Sequence, residues 1–161
     1  MNNFEFAIKR EIDGENYYLE QAEANKGNAL STVFLSLAKD EENHAVILEN
    51  KAKELAFDFQ EKEIRSSSKT IFGNIKDKDT NIPLMPKQLE IYKIGLEKER
   101  QSIEVYEKFL LEAKDEKSKE LFEYLLKQEK EHFSILEEMI ILINRTDDWV
   151  ESPEFGVREE Y

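Results

Sequence analysis

The chain contains only two histidines, and each has a glutamate three residues before it. The two pairs are Glu41 with His44 and Glu129 with His132. On a helix this spacing places the carboxylate and the imidazole on one face, one turn apart. A di-iron carboxylate site contains two such pairs at the centre of a helix bundle. The spacing therefore suggests a metal centre that needs helices to position it.

The two pairs belong to an internal repeat with an offset of 88 residues, the distance from His44 to His132. The same shift matches further acidic, aromatic and apolar positions. These matches are Glu11 with Glu99, Tyr18 with Tyr106, Phe34 with Phe122, Leu37 with Leu125 and Leu48 with Leu136. Only two copies are present, so the repeat indicates a duplicated helical hairpin and not a solenoid. Two such hairpins predict a four-helix bundle with a pseudo-two-fold axis.

Apolar residues recur at spacings of three and four in four segments, as in amphipathic helices. Gly27 is a suitable helix stop and Asn28 a suitable cap, so a short turn makes the first two helices an antiparallel hairpin. The predicted helices cover about residues 3–26, 29–62, 87–114 and 117–144 of a single domain, 1–161.

The segment from about residue 63 to residue 85 breaks the helical pattern. A connection of that length is expected when it crosses the full length of a bundle. Within it, a short amphipathic turn around Thr70–Ile75 is predicted to fold over the core. The tail, residues 145–161, is predicted to pack Trp149 and Phe155 against the end of the bundle.

Four glutamates are predicted to lie at one height in the bundle. At about 1.5 Å per residue, Glu11 and Glu41 lie roughly 24 and 20 Å from the turn that joins their helices. The repeat places Glu99 and Glu129 level in the same way. The residues expected to converge are Glu11, Glu41, His44, Glu99, Glu129 and His132.

Such a group needs cations, because each buried unpaired carboxylate costs several kcal/mol. Two divalent ions would neutralise four carboxylates. Oxygen and imidazole ligands without thiolate suit two iron ions, with manganese or zinc as alternatives. Because Glu41 and Glu129 each share a helix face with a histidine, we predict that they bridge the metals. Glu11 and Glu99 would be terminal ligands, and each histidine would bind one metal.

Two further pairs of residues share the faces of the first and third glutamates. Tyr18 and Tyr106 are either core aromatics with bonded hydroxyls, or groups that donate to a bridging carboxylate or take part in redox chemistry. Gly14 and Ser102 lie three residues after the glutamates of their helices. Their small size would leave coordination space for dioxygen or peroxide, or would allow close helix packing.

Composition excludes several classes of function. A net charge of −13 argues against binding to nucleic acid or to an anionic membrane. The absence of cysteine excludes disulfides, thiolate nucleophiles and iron–sulfur clusters. No apolar run approaches about 18 residues and the first residues do not form a leader, so the expectation is a cytoplasmic protein.

The residues resemble the rubrerythrin family of the ferritin-like superfamily over about residues 3–145. That family has a helix with E-x6-Y followed by a helix with E-x-x-H, twice. Here the motifs are Glu11 to Tyr18 with Glu41 to His44, and Glu99 to Tyr106 with Glu129 to His132. The resemblance implies an all-α, up-down-down-up bundle with a long crossover and a di-iron centre. It also implies reduction of hydrogen peroxide or dioxygen by a homodimer or larger assembly.

Two parts of the family pattern are missing from these residues. Family members often carry a cysteine-ligated rubredoxin domain, so electrons here are expected from a separate carrier such as a rubredoxin. Members also usually have an extra glutamate where Ser102 stands. Its absence favours ferroxidase-type iron oxidation or sequestration as a second hypothesis. A metal-free helical interaction module is the third.

Overall fold

The computed structural model describes the backbone of residues 2–53, 67–77 and 88–151, and side chains over 2–53, 68–74 and 88–144. These ranges form five helices and contain no strand, which confirms the predicted all-α class. The helices are α1 (Asn3–Ala24), α2 (Leu30–Ala52), α3 (Ser67–Asp77), α4 (Gln88–Glu112) and α5 (Glu116–Glu151).

Local hydrogen bonds define the α1–α2 hairpin. At the start of α1, Asn2 and Glu5 form a capping box, in which each side chain accepts a hydrogen bond from the other's backbone N–H. Gly27 has φ +98°, a conformation that favours glycine, and it lies in the turn between the helices. Asn28 Oδ1 then accepts from the backbone N of Leu30 at 2.8 Å, but the N-cap position of α2 is Ala29, one residue after the predicted cap.

Contacts between side chains show that α1 and α4 are antiparallel. Near the start of α1, Asn3 Nδ2 donates to Glu112 Oε2 at the end of α4, at 3.2 Å. Farther along α1, the Tyr17 hydroxyl donates to the backbone oxygen of Ile91, near the start of α4, at 2.9 Å.

Helices α2 and α5 are also antiparallel. Asp40 of α2 contacts His132 of α5, and His44, one turn later in α2, contacts Gln128, one turn earlier in α5. Together with the two hairpins, these directions give the up-down-down-up order of a ferritin-like bundle, as predicted.

The core consists of two apolar clusters with the acidic residues and histidines between them along the helices. The cluster beside the α1–α2 turn includes Tyr18, Phe34, Leu37, Tyr92, Leu136 and Met139. The cluster at the other end includes Ala7, Leu48, Tyr106, Leu121, Phe122 and Leu125. Burial of these side chains supplies the main stabilisation of the bundle and keeps water from its centre.

The predicted helix ends can be compared with the structure at α2 and α5. Helix α2 ends at Ala52, and its predicted continuation to Lys62 falls within residues 54–66, which lie outside the described part of the chain. Helix α5 continues to Glu151, seven residues beyond the predicted end at Asn144. The sequence becomes polar there but has no glycine or proline before Pro153, so nothing local stops the helix.

The crossover contains α3 where a short amphipathic turn was predicted. Phe72 of α3 is buried in the first apolar cluster, so this segment does fold over the core. Packing of Trp149 and Phe155 was also predicted, but their side chains lie outside the described residues. None of the described helices is long and apolar enough to cross a membrane.

Gly95 gives a test of the close approach between α1 and α4. A Cβ at this position would overlap the hydroxyl and ring of Tyr17, whose hydroxyl is held by Ile91. We expect Gly95→Ala to lower the free energy of unfolding by about 1–3 kcal/mol. The matched control is Gly73→Ala in α3, where no atom lies within 4 Å of an added Cβ. It should be neutral or stabilising by about 0.5–1 kcal/mol. Urea denaturation of the metal-free protein measures both, and a Gly95→Ala variant as stable as the parent would contradict the packing.

Candidate metal centre

Four helices place the six predicted ligands at the centre of the bundle. Helices α1 and α4 each contribute a glutamate, and α2 and α5 each contribute a glutamate and a histidine one turn apart. All six residues are at most 4% exposed. The structure thus brings together Glu11, Glu41, His44, Glu99, Glu129 and His132.

The ligand atoms form two overlapping groups, and within each group they lie within 4.8 Å of one another. One group consists of Glu11, Glu41, His44 and Glu129, and the other of Glu41, Glu99, Glu129 and His132. Glu41 and Glu129 belong to both groups. They occupy the positions that bridging ligands would need, whereas the other four residues each belong to one group.

Both imidazole rings present Nδ1 to the carboxylates. His132 Nδ1 lies 2.9 Å from Glu41 Oε1. His44 Nδ1 lies 3.2 Å from Glu11 Oε2 and 3.3 Å from Glu129 Oε1. The rings are nearly parallel, with centroids 5.9 Å apart. Nδ1 is therefore the nitrogen of each ring that is placed to bind a metal.

The other nitrogen of each histidine contacts a residue that sequence alone did not identify. His132 Nε2 lies 3.0 Å from Asp40 Oδ2, and His44 Nε2 lies 3.2 Å from Gln128 Oε1. The repeat relates Asp40 to Gln128, since each directly precedes a shared glutamate. That position in the repeat was the available signal. Such partners orient a ligand histidine and tune its basicity, and here one is an acid and the other an amide.

The two tyrosine hydroxyls connect the two halves of the repeat. The Tyr18 hydroxyl donates to Glu99 Oε1, and the Tyr106 hydroxyl donates to Glu11 Oε1. Burial, together with the charge of the glutamate that each contacts, raises the pKa of both phenols well above the usual value. Both therefore remain protonated donors. Their partners are the unshared carboxylates and not the bridging positions that the prediction gave them.

Charge is distributed unevenly among the four carboxylates. Burial and the charge of Glu11 raise the pKa of Glu41 and of Glu129 well above the usual value. Burial acts in the same direction on Glu11, but the charge of His44 and hydrogen bonds from its neighbours outweigh it, and the pKa falls to about 2. The pKa of Glu99 is also lowered, by hydrogen bonds that outweigh burial. Without metal, the shared pair therefore holds its protons to higher pH than the unshared pair does.

The donor atoms fit two divalent cations. Among the described residues, Glu99 Oε2 and Glu129 Oε1 are buried without a hydrogen-bond partner. A buried acceptor without a partner costs about 1–3 kcal/mol, so such atoms call for an explanation, and a bound ion supplies one. Carboxylate oxygen with imidazole nitrogen, and no thiolate, suits iron, manganese or zinc.

A cleft of about 90 Å³ between α1 and α4 reaches this cluster. Gly14 and Ser102 both line it, as does the carboxylate of Glu41. A Cβ at Gly14 would lie 3.1 Å from Glu41 Oε2, so the missing side chain leaves this carboxylate open to the cleft. Arg10, which sequence alone did not identify, donates from Nη2 to Ser102 Oγ at 3.2 Å.

Comparison with known proteins gives one result. The family model described as Rubrerythrin matches residues 2–140, which include all six candidate ligands and both tyrosines. No curated protein and no solved structure matches the chain.

The protonated pair predicts how the stability of the metal-free protein depends on pH. Glu41 and Glu129 hold protons in the folded state at pH values above 4.5, where the unfolded chain has released them. For each proton held in this way, the free energy of unfolding falls by about 1.4 kcal/mol for every unit by which the pH rises. Hydrogen bonds to Asp40 and Glu99 outweigh the effect of burial and raise the pKa of His132. This residue therefore also lowers the stability as the pH rises above 6.5. We therefore expect stability to fall as the pH rises above 4.5, and more steeply above 6.5.

The lowered pKa of Glu11 has the opposite effect on the stability of the metal-free protein, at lower pH. Its stabilising contribution is complete above the usual pKa of 4.5 and is lost as the pH falls towards about 2. With metal bound, the stability should instead rise with pH near neutrality, because the metal replaces the protons of the shared pair, Glu41 and Glu129. Urea titrations with chelator and with added metal measure both trends. A metal-free protein that is more stable at about pH 8 than at about pH 6 would contradict the proton distribution.

The two histidines differ in the residue that contacts Nε2, which is Asp40 for His132 and Gln128 for His44, and this difference gives a second prediction. Asp40→Asn removes the negative charge behind His132 but keeps a hydrogen-bond acceptor. We expect one of the two metal sites to weaken about 10- to 100-fold while the other is unchanged. Calorimetric titration with cobalt(II) resolves the two steps. Glu42→Gln, which removes an exposed charge from the same helix, is the control. Equal weakening of both steps would show that Asp40 does not act through His132 alone.

Proposed function

Because the chain belongs to the rubrerythrin family, we propose that it is a di-iron oxidoreductase that reduces hydrogen peroxide or dioxygen with electrons from a separate carrier. The observation that carries this proposal is the pair of overlapping ligand groups, with Glu41 and Glu129 common to both. Such sharing fits two metal ions held close together. It is not needed for a single ion or for a structural salt bridge.

Two ions account for the charge and the electron count. Four carboxylates balance two divalent cations, so the filled centre is neutral. Reduction of hydrogen peroxide to two waters consumes two electrons and two protons, and a pair of iron ions, when bound, supplies one electron each. The oxygen and imidazole ligands suit this metal, with manganese or zinc as alternatives.

The residues of the chain hold and isolate this centre. The shared carboxylates, Glu41 and Glu129, would hold both ions and would release their protons when the ions bind. The Tyr18 and Tyr106 hydroxyls orient the unshared carboxylates. We assign them this orienting role and, as part of the proposal, a role in electron transfer. The apolar clusters on either side exclude water.

As part of the proposal, the electrons come from a separate carrier, since none of these 161 residues is a cysteine that could hold a second iron site. A rubredoxin is the type of carrier we propose, and a homodimer is the assembly that the family suggests. A cytoplasmic location remains a prediction, as do the absence of nucleic-acid and membrane partners.

One observation favours a second function, ferroxidase-type iron oxidation or sequestration. Family members usually have an extra glutamate at the position of Ser102, whereas here the serine hydroxyl accepts a hydrogen bond from Arg10. Without that glutamate, a centre that is oxidised once and not reduced again is the alternative. A metal-free interaction module is disfavoured, because it leaves four carboxylates buried together at the centre of the bundle with no cation to balance them.

The shared ligand provides the decisive variant. Glu41→Ala should abolish binding of both irons. Loss of a residue outside the ligand set would instead weaken metal affinity by only about 10- to 100-fold. Glu42→Ala, its exposed neighbour on α2, is the matched control and should bind iron as the parent does. Iron content after anaerobic loading, with circular dichroism to check folding, gives the result. A Glu41→Ala protein that binds two irons normally would refute the assignment.

Turnover separates the two candidate functions. The loaded protein is mixed with hydrogen peroxide and an excess of a reduced rubredoxin, and oxidation of the rubredoxin is followed. Many equivalents oxidised per centre would support the oxidoreductase. A single oxidation that then stops, together with assembly into a cage in size-exclusion chromatography, would support iron oxidation and storage.

A further inference from the structure

The crossover helix α3 packs against α2 and α5, the two helices that carry the histidines. The other four helices form pairs under the 88-residue shift, because α1 matches α4 and α2 matches α5. Helix α3 lies between the two hairpins and occurs once in the described part of the chain. A contact between α3 and the metal centre therefore supports one histidine and has no equivalent at the other.

Ser68, the second residue of α3, makes such a contact. It is fully buried, and its Oγ donates to Asp40 Oδ2 at 3.0 Å. The same Oδ2 atom lies 3.0 Å from Nε2 of His132. A single carboxylate oxygen of α2 therefore joins a hydroxyl of α3 to a candidate ligand of α5.

A second serine fixes the direction of this hydrogen bond. The Oγ atoms of Ser36 and Ser68 are 2.7 Å apart. A serine hydroxyl has one proton, and that of Ser68 goes to Asp40, so Ser36 is the donor between the two serines. The carboxylate of Asp40 thus contacts polar groups of α3 and of α5. Two such contacts fix its terminal torsion, which is otherwise broad for an aspartate.

The equivalent positions near His44 are built differently. Under the 88-residue shift, Asp40 corresponds to Gln128 and Ser36 corresponds to Tyr124. The ring of Tyr124 lies edge-on to that of His44, with the centroids 6.0 Å apart, and Gln128 contacts Nε2 of His44. Gln128 and Tyr124 both belong to α5, whereas the network behind His132 draws its residues from α2 and α3.

We propose that Ser68 is a positioning residue, through which the crossover helix α3 holds Asp40 against His132 and strengthens one of the two metal positions. The serine acts through Asp40 and is not itself a ligand. An aspartate fixed in this way keeps the proton of the imidazole on Nε2 and leaves the lone pair of Nδ1 for the metal. This inference rests on the proposed two-metal centre and assigns a residue of the crossover to it.

Calorimetric titration with cobalt(II) measures the effect on metal affinity. Ser68→Ala should weaken the same binding step that Asp40→Asn weakens, by about three- to tenfold, and should leave the other step unchanged. Ser31→Ala is the matched control. It removes a half-buried hydroxyl that donates to the backbone oxygen of Ala22 at 3.0 Å, near the α1–α2 turn. It should leave both steps unchanged, and circular dichroism verifies that each variant folds.

A double-mutant cycle distinguishes positioning of Asp40 from general support of the bundle. Asp40→Ala leaves Ser68 without a carboxylate to hold. In that background the further change Ser68→Ala should weaken cobalt(II) binding by less than about twofold. A loss as large as the one that Ser68→Ala causes in the parent protein would overturn the inference, because the serine would then act by another route.

The Nε2 protons of the two histidines provide a spectroscopic measurement. In the cobalt(II) protein, proton NMR should show one solvent-exchangeable N–H resonance for each ligand histidine, displaced by the paramagnetic metal. Asp40→Asn identifies the resonance of His132. Ser68→Ala should shift that resonance and speed its exchange with water, while the resonance of His44 stays in place. Ser31→Ala should move neither resonance.

The outcomes separate this inference from the function on which it rests. A parent protein that does not bind two cobalt ions overturns both. If two ions bind but Ser68→Ala leaves both affinities and both N–H resonances at the values of the parent, the inference alone fails. It also fails if Ser68→Ala weakens the two binding steps equally, since its effect would then not pass through His132.

Discussion

Burial of four carboxylates at one level of the bundle is the constraint on which the rest of the structure depends. Four like charges cannot share a space this small in a low-dielectric interior. In the absence of metal the protein avoids that repulsion by dividing the carboxylates into two classes. The pKa values of Glu41 and Glu129 are raised, whereas those of Glu11 and Glu99 are lowered and each of these two carboxylates accepts a hydrogen bond from a tyrosine hydroxyl.

The bundle must stabilise this polar centre from both sides. The two apolar clusters lie above and below it, so the hydrophobic burial that holds the helices together comes from the ends of the bundle and not from the middle. Contacts across the middle, such as Tyr18 with Glu99 and Tyr106 with Glu11, connect α1 to α4. Since these contacts are polar, the relative position of the two hairpins and the geometry of the site depend on each other.

The fold and the convergence of the six candidate ligands could be predicted because both follow from periodic spacings in the sequence. The three-and-four pattern gives the helices, and the 88-residue repeat pairs Glu11 with Glu99 on equivalent faces. Arg10, Asp40 and Gln128 could not be predicted in the same way. Their contacts depend on how far each helix is rotated towards a neighbour that is distant in sequence, which spacing within one helix does not determine. The extension of α5 to Glu151 was missed because the pattern ends before the helix does.

The covalent connection between the two hairpins has a consequence for how such a centre can evolve. One hairpin supplies only Glu11, Glu41 and His44, so a centre made from separate identical hairpins would need two copies of the same gene product. Any change in such an assembly would appear on both sides at once. With both hairpins in one chain, a mutation alters a single side, and Asp40 can differ from Gln128 and Gly14 from Ser102. Linkage thus allows one metal position to acquire new properties while the other preserves the inherited ones.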